Sequence, residues 1–158
     1  MVHKTILETF SPIFKKMIEA QNGDENVLEI TDSDFETVEN GINFCYGFPE
    51  SVYSDINELT EVLKFSSKYE INDLKNEIEF KLIPQISNEN ICKISNAAIE
   101  SKAETLKAVC QSKLIQFVKK ATIVKEMKNL DCNFAKEVLA NVCIPEGYMV
   151  NPFDVFTN

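Results

Sequence analysis

The start of the chain carries a helical apolar stripe that a helix breaker cuts in two. Residues 3–17, HKTILETFSPIFKKM, place apolar side chains three and four residues apart, at Ile6, Leu7, Phe10, Phe14 and Met17. Ser11-Pro12 interrupts this stripe, but Ser11 is a good N-cap, and proline at the first helical position loses no hydrogen bond. The sequence therefore predicts two short helices, over 3–10 and 11–19, that meet at a corner and share an apolar face.

Helical periodicity continues along most of the remaining chain. The spacing predicts helices over 34–46, 55–69 and 72–83, and then over 88–101, 103–120, 122–129 and 133–142. Asp32 or Ser33 is expected to cap the helix at 34–46, with Glu36 placed for a capping box on Ser33, and Gly47 is expected to end it. Short strands are predicted over 27–30 (VLEI) and 51–54 (SVYS). The predicted fold is mainly α with a small residual β-sheet, an α+β class.

A change of composition near residues 84–87 divides the chain. The part before it has some predicted strand, whereas residues 85–143 are purely helical. We expect a first domain over 1–84, a helical region over 85–143 and a tail over 144–158, where two prolines and a glycine favour irregular structure.

Charge and composition exclude several classes of function. The chain of 158 residues has a formal charge of −9 and no arginine, so we expect neither nucleic-acid binding nor a membrane-surface site. Five scattered cysteines without a CxxC pair, and one histidine, predict no disulfide framework and no metal site. The sequence shows no signal-peptide pattern and no segment of about 20 apolar residues, so we expect an intracellular protein, cytoplasmic or nuclear.

No constellation of catalytic residues is present. GxSxG, GxxxxGK[ST] and HExxH are missing, and the four glycines are isolated, so we expect no enzyme, no catalytic residue and no cofactor. Carboxylates such as Glu77 and Glu79 are interpreted as a solvated helix face. Cys45 and Cys110 lie on apolar helical faces and are interpreted as buried, inert thiols. The 11 phenylalanines without a tryptophan are a large apolar load, part of which is expected to serve an interface.

Three stretches together resemble the BTB/POZ domain: HKTILETFSPIFKKM, VLEITDSDFETVENGINFCYGF and ELTEVLKFSSKYEINDLKNEIEFKL. The family pattern runs from His-Lys and Ser-Pro-x-Phe, through Phe-x-Tyr-x-Gly, to a helix pair with Lys-Tyr and Leu-Lys. Its anchors in this chain are His3, Lys4, Leu7, Ser11, Pro12, Phe14, Met17, Asp32, Phe35, Phe44, Tyr46, Gly47, Lys68, Tyr69, Leu74 and Lys75.

The helical region is similar to the BACK-like, or three-box, helices that follow BTB in MATH-BTB adaptor proteins. The matching positions are Ile86, Ser87, Asn90, Ala98, Leu106, Lys107, Cys110 and Phe117. The family also implies two strands before the His-Lys helix, for which Met1 and Val2 leave no room. A divergent short form and a truncated gene product both remain open.

The resemblance implies a protein–protein interaction module that self-associates and binds the N-terminal domain of a cullin scaffold in a ubiquitin ligase. By the same resemblance, the leading helices supply candidates for either the core or a weak homodimer: Ile6, Leu7, Phe10, Phe14 and Met17. The cullin-binding candidates are Ile18, Glu19, Phe35, Tyr46, Phe48, Val52 and Asp55. The alternative is a structural or regulatory module that self-associates without a ligase function. No cargo-binding segment is recognisable in the sequence.

Overall fold

The structure is a computed structural model that describes residues 3–20, 27–47 and 55–143. Within these ranges the chain forms eight α-helices: α1 (Lys4–Phe10), α2 (Pro12–Ala20), α3 (Phe35–Cys45), α4 (Ile56–Lys68), α5 (Asn72–Leu82), α6 (Ile91–Glu100), α7 (Glu104–Lys119) and α8 (Cys132–Val142). Short 3-10 turns occupy Ile83–Gln85 and Met127–Asn129. The mainly helical prediction is confirmed.

The predicted corner between the two leading helices is confirmed. The backbone N–H of Ser11 donates to the Leu7 carbonyl at 2.9 Å and closes α1, while its side-chain Oγ accepts from the Phe14 N–H at 3.0 Å and opens α2. Pro12 is the first residue of α2, where it leaves no donor unsatisfied. One serine therefore ends one helix and caps the next.

The expected residual β-sheet is not seen among the described residues. The predicted strand at 27–30 has no regular secondary structure, and the second one, at 51–54, lies outside the described ranges. A strand is defined by a ladder of paired N–H and C=O groups, and the described residues form no such ladder. Leu28 and Ile30 instead pack their side chains against the helical core.

Several predicted helix ends are wrong. The N-cap of α3 is Asp34, which accepts from the Thr37 N–H at 2.7 Å. Neither Asp32 nor Ser33 caps this helix. The predicted helix at 122–129 contracts to the turn Met127–Asn129, preceded by Glu126 in the left-handed conformation at φ 57°. Gly47, at φ 67°, follows α3 as predicted.

Helix α4 lies at the centre of the fold, between α3, α5 and α6, and α7 packs on α5, α6 and α8. One continuous cluster of buried apolar side chains runs from Leu7 to Val138. The leading corner joins this cluster through three rings: Phe14 stacks on Tyr69 with centroids 4.6 Å apart, and Tyr69 contacts Phe65 at the same separation.

Helix α3 approaches α4 closely at a glycine. A Cβ atom at Gly41 would overlap the Phe65 ring, so only glycine lets the two helices pack at this separation. The Ser11 hydroxyl also donates to the Tyr69 carbonyl. The corner, α3 and α4 are thus held as one body.

Candidate protein-docking surface

The apolar stripe of the leading helices is split between the core and the surface. Leu7 is 8% exposed and Phe14 is 1% exposed, so both are buried. Ile6, Phe10 and Met17 are half-buried and pack against the rim of the core. A half-buried apolar side chain keeps surface that a second protein can cover at about 25 cal/mol per Å².

The Phe10 ring meets the edge of the Phe44 ring, with centroids 6.2 Å apart, and so joins α1 to α3. At the same end of α3, the His3 N–H donates to the Tyr46 hydroxyl, and His3 Nδ1 lies 3.1 Å from that oxygen. Tyr46, a predicted binding residue, is therefore half-buried and fastened to the start of α1.

Phe35 lies at the opposite end of α3 from Tyr46. Its side chain is 80% exposed, although it is large and apolar. At 1.5 Å per residue, these two predicted binding residues are about 16 Å apart along the helix. They therefore belong to different parts of the surface.

Acidic side chains surround Phe35. Residues 27–47 contain five carboxylates and no lysine. We define the Phe35 patch as Asp32, Asp34, Phe35 and Glu36, four residues that are all exposed. An exposed aromatic ring beside several acids matches a partner that offers an apolar pocket with basic groups around it.

Hydrogen bonds and an ion pair hold two acids of the Phe35 patch, Asp34 and Asp32, in place. Hydrogen bonds from the backbone N–H and the side chain of Thr37 hold the pKa of the Asp34 carboxyl below its usual value. Asp32 pairs with the Lys68 ammonium group and accepts from the Tyr69 hydroxyl at 3.0 Å. Burial raises the pKa of Tyr69, so this hydroxyl keeps its proton and remains a donor at neutral pH.

The other predicted binding residues are dispersed. Ile18 is half-buried and packs against the core, whereas Glu19 is exposed at the end of α2. Asp55 is exposed at the N-cap of α4, and its pKa is lowered chiefly by a hydrogen bond from the Asn57 side chain. Phe48 and Val52 lie outside the described residues.

A polar cleft of about 850 Å³ lies between the start of α3, the outer side of α4 and the turn between α6 and α7. Burial lowers the pKa of Lys64 in this cleft, but the hydrogen bond and charge of Glu61, joined by Glu100, outweigh burial and leave the pKa raised. Asp34 also lines the cleft. Its lowered pKa follows from its role as a helix cap and is opposite to the shift that favours a general base.

The buried thiols are in the protonated form at neutral pH. Desolvation raises the pKa of both Cys45 and Cys110 to about 11, and it also raises the pKa of Cys92. A nucleophilic cysteine needs a lowered pKa, so these environments favour packing over reaction. Within the described ranges, no group of three or more His, Cys, Asp or Glu side chains is arranged to hold a metal ion. None of the helices described is long and apolar enough to span a bilayer.

The interpretation of Glu79 as part of a solvated face is wrong. Its side chain is 6% exposed, and Oε2 accepts from the Leu106 N–H at 3.0 Å. The sequence signal that could have identified this role is Ala103, which precedes α7 and has no side-chain oxygen to cap it. A helix without a cap of its own needs an acceptor from elsewhere.

Comparison with known proteins gives a consistent result. The family model for the BTB/POZ domain matches residues 1–86. The chain is 33% identical over 113 residues to the BTB and MATH domain-containing protein 42 of Caenorhabditis elegans, a match that covers 67% of this chain and 27% of that protein. It is 29% identical over 96 residues to the protein maternal effect lethal 26 of the same organism, covering 58% and 24%. The matches thus span about a quarter of the length of these relatives.

Proposed function

The chain belongs to the BTB/POZ family, whose members are protein–protein interaction modules, and on that premise we propose that it is an adaptor-like subunit of a cullin-RING ubiquitin ligase. In this proposal it binds the N-terminal domain of a cullin through the acidic end of α3 and self-associates weakly through its leading helices. We also keep the division into a domain over 1–84, a BACK-like region over 85–143 and a tail over 144–158, as well as an intracellular location, as parts of the proposal.

The exposure of Phe35 is the observation that carries the proposal. At 80% exposed, the ring leaves nearly all of its apolar surface in water, next to a helix start that Asp34 already caps. Exposed aromatic side chains are the usual anchors of protein interfaces, because burying one removes a large apolar area from water at little cost in side-chain entropy.

The charges of the Phe35 patch favour a basic partner surface. Asp34 and Glu36 are exposed, whereas Asp32 is already paired with Lys68. Charges at the rim of an interface mainly speed encounter, and their effect falls as salt screens them. The affinity is therefore assigned chiefly to Phe35, and the association rate to the acids.

The test is a titration of the purified chain with the N-terminal domain of a cullin. Calorimetry or a biosensor measures the affinity and the rates of binding. We expect Phe35→Ala to weaken binding at least tenfold, as for an interface anchor. Because Phe35 is exposed, its truncation should leave the free energy of unfolding almost unchanged. Glu36→Lys should lower the association rate more than it changes the dissociation rate.

Phe80→Ala is the matched control. Phe80 is also a helical phenylalanine and is 72% exposed, but it lies on α5, outside the Phe35 patch. Phe80→Ala should bind the cullin domain like the unsubstituted chain. If the unsubstituted chain does not bind at tens of micromolar, the ligase part of the proposal fails. If Phe35→Ala and Phe80→Ala weaken binding equally, the assignment of the surface fails.

The alternative function is self-association without a ligase role, and the half-buried leading helices favour it. Ile6, Phe10 and Met17 keep apolar surface exposed at the rim, whereas Leu7 and Phe14 are buried and are assigned to the core. Sedimentation of the chain over a range of concentrations tests this function. A strict monomer at every concentration would exclude it, and cullin binding by a monomer would leave the adaptor proposal intact.

A further inference from the structure

Helices α5 and α7 lie side by side, and each supplies the end of the other with a polar partner. Glu79 of α5 accepts from the Leu106 N–H of α7 at 3.0 Å. Further along, the Lys113 ammonium group of α7 donates to the carbonyl oxygens of Ile83 and Ile86, each at 3.4 Å, just beyond the end of α5. The later contact on α5 is also the later contact on α7, so the two helices run in the same direction.

At the start of α7, the Glu79 side chain accepts the hydrogen bond that an N-cap side chain would ordinarily accept. Ala103 occupies the N-cap position and has no side-chain acceptor, and Leu106 is the third helical residue, whose N–H an N-cap side chain ordinarily receives. Both Leu106 and the carboxyl group of Glu79 are buried, so water cannot replace this bond. Loss of the acceptor would leave a buried N–H unpaired.

At the end of α5, the Lys113 ammonium group donates to carbonyl groups of the kind that a helix leaves without a partner at its C-terminus. The 3-10 turn Ile83–Gln85 follows α5 directly and extends its run of carbonyls. A lysine near these oxygens also interacts favourably with the partial negative charge at a helix C-terminus. Lys113 sits in the interior of α7, so it reaches across to α5 and does not serve the end of its own helix.

The reciprocal arrangement offsets a cost of parallel packing. Parallel neighbouring helices place like ends of their dipoles together, which is unfavourable. Here an acidic side chain lies at the positive start of α7 and a basic side chain at the negative end of α5. Each of these two contacts is supplied by the other helix, so both are lost when the helices separate, and only Glu104 and Lys81, in the terminal turns of α7 and α5 themselves, then remain near these ends.

Two further bonds hold the turn between α6 and α7 to the first part of the chain. Ser67 of α4 donates its hydroxyl to the Ser101 carbonyl at 2.7 Å, and Lys75 of α5 donates to the Lys102 carbonyl at 2.8 Å. Lys102 has φ 50°, in the left-handed region, and the bond from the Ala103 N–H to the Ala98 carbonyl at 2.8 Å closes the turn around it at the end of α6. The turn cannot move away without losing bonds to α4 and to α5.

We infer that the paired cap formed by Glu79 and Lys113 makes α4–α7 open and close as one unit, so that the helical region is part of the folding unit of the interaction module. Glu79 and Lys113 act as positioning residues: they touch no partner and hold α5 and α7 in register. This coupling is independent of whether the chain binds a cullin.

Native-state hydrogen exchange on the full chain tests the inference. Glu79→Ala should raise the opening equilibrium of amides in the first turn of α7 by about ten- to a hundredfold, because a buried N–H loses its acceptor. Amides in the middle of α5 should lose protection by the same factor. Lys113→Met should act in the same direction on both helices by a smaller factor, since its hydrogen bonds are longer.

Glu104→Ala is the control. Glu104 is an exposed acid in the first turn of α7, so its removal changes the charge at the same helix end without removing the acceptor of Leu106. Protection in α5 should change by less than about twofold in this variant. Should Glu79→Ala fail to fold, the comparison is made with Glu79→Gln, which keeps an acceptor oxygen and should lose protection in both helices by a smaller common factor.

A loss of protection confined to the first turn of α7, with α5 unchanged, would overturn the inference and reduce Glu79 to a local cap. Equal losses in Glu104→Ala and Glu79→Ala would overturn it as well, because the effect would then follow net charge at the helix end and not the buried bond.

Discussion

The first three helices and the five that follow differ in how completely they bury their apolar side chains. Among the described residues up to Gly47, three apolar side chains are buried, Leu7, Phe14 and Cys45, and ten more are only half-buried against the core. Among residues 55–143, 22 apolar side chains are buried and ten are half-buried. The first region therefore keeps apolar surface at its rim, whereas the second has satisfied most of its own.

This difference assigns the stability of the fold chiefly to one region and the proposed binding surfaces to the other. The second region, centred on α4–α7, supplies most of the buried interior and the hydrogen bonds between α5 and α7 that hold it. The first region rests on that interior through a few contacts, above all Phe14 against Tyr69 and Gly41 against Phe65. Surface that is not needed for folding is free to bind, which is why both proposed binding surfaces lie on α1–α3.

The strongest test of this comparison uses two phenylalanines from the same stripe. Phe14→Ala should lower the free energy of unfolding by about 3–5 kcal/mol, because a fully buried ring leaves a cavity. Phe10→Ala should cost only about 1–2 kcal/mol, because part of its surface is already in water. Urea denaturation measures both, and sedimentation should show that Phe10→Ala weakens self-association. Equal losses of stability in the two variants would contradict the division of the stripe.

Stability at alkaline pH tests whether the buried thiols of the two regions are equally shielded from water. The pKa of Cys45, in the first region, and that of Cys110, in the second, are both raised to about 11 from the ordinary value of 9.0. Above pH 9 the unfolded chain loses these protons while the folded chain retains them, so stability falls as the pH rises from 9 to about 11. At pH 10.5 each thiol should contribute a loss of about 2 kcal/mol.

Urea denaturation at pH 7 and pH 10.5 checks this expectation. Cys45→Ala and Cys110→Ala should each remove about half of the loss that the two thiols cause together. Lysine and tyrosine titration affects all variants alike, so the difference between variants isolates the thiols. An unchanged pH dependence in Cys45→Ala would mean that the interior of the first region admits water.

Thiol alkylation of the native chain measures the smallest expected difference. Cys132 and Cys143 are exposed and should react at once, whereas Cys45, Cys92 and Cys110 are buried and need an opening of the structure. Because α1–α3 are held by fewer buried side chains, Cys45 should react at least about tenfold faster than Cys110. Quenched samples analysed by peptide mass spectrometry give the separate rates. Equal, slow alkylation rates for Cys45 and Cys110 would show that the two regions open together, and would contradict the comparison.

Local sequence signals predicted most helices correctly. The corner at Ser11-Pro12 follows from two residues whose backbone and side-chain preferences act within one turn. The apolar periodicity predicted α3 to α8 because a helix buries residues at three- and four-residue spacing wherever it packs. The C-terminal ends of α4, α6 and α7 lie within one residue of the predicted ends, although each helix is followed by a non-glycine residue at positive φ, namely Glu70, Lys102 and Ala121. No glycine marks these ends in the sequence.

The errors have a common physical cause. Asp32 was expected as a cap of α3, but it is engaged by Lys68 and Tyr69 from a helix more than 30 residues away, and Asp34 caps instead. Glu79 was interpreted as solvated, but its partner lies 27 residues further along the chain. A strand was predicted at 27–30 from apolar residues that pack on helices among the described residues. In each case the competing partner is distant in sequence.

The sequence alone determined the helices, the corner and the family, because each of these depends on residues within a few turns of one another or on an ordered set of anchors. The tertiary structure decided which side of one stripe is core and which is rim, since Phe10 and Phe14 are equivalent by spacing and differ only in what packs on them. It also decided that Phe35 faces water and that Glu79 does not, because burial of a side chain depends on helices that only the folded chain brings together.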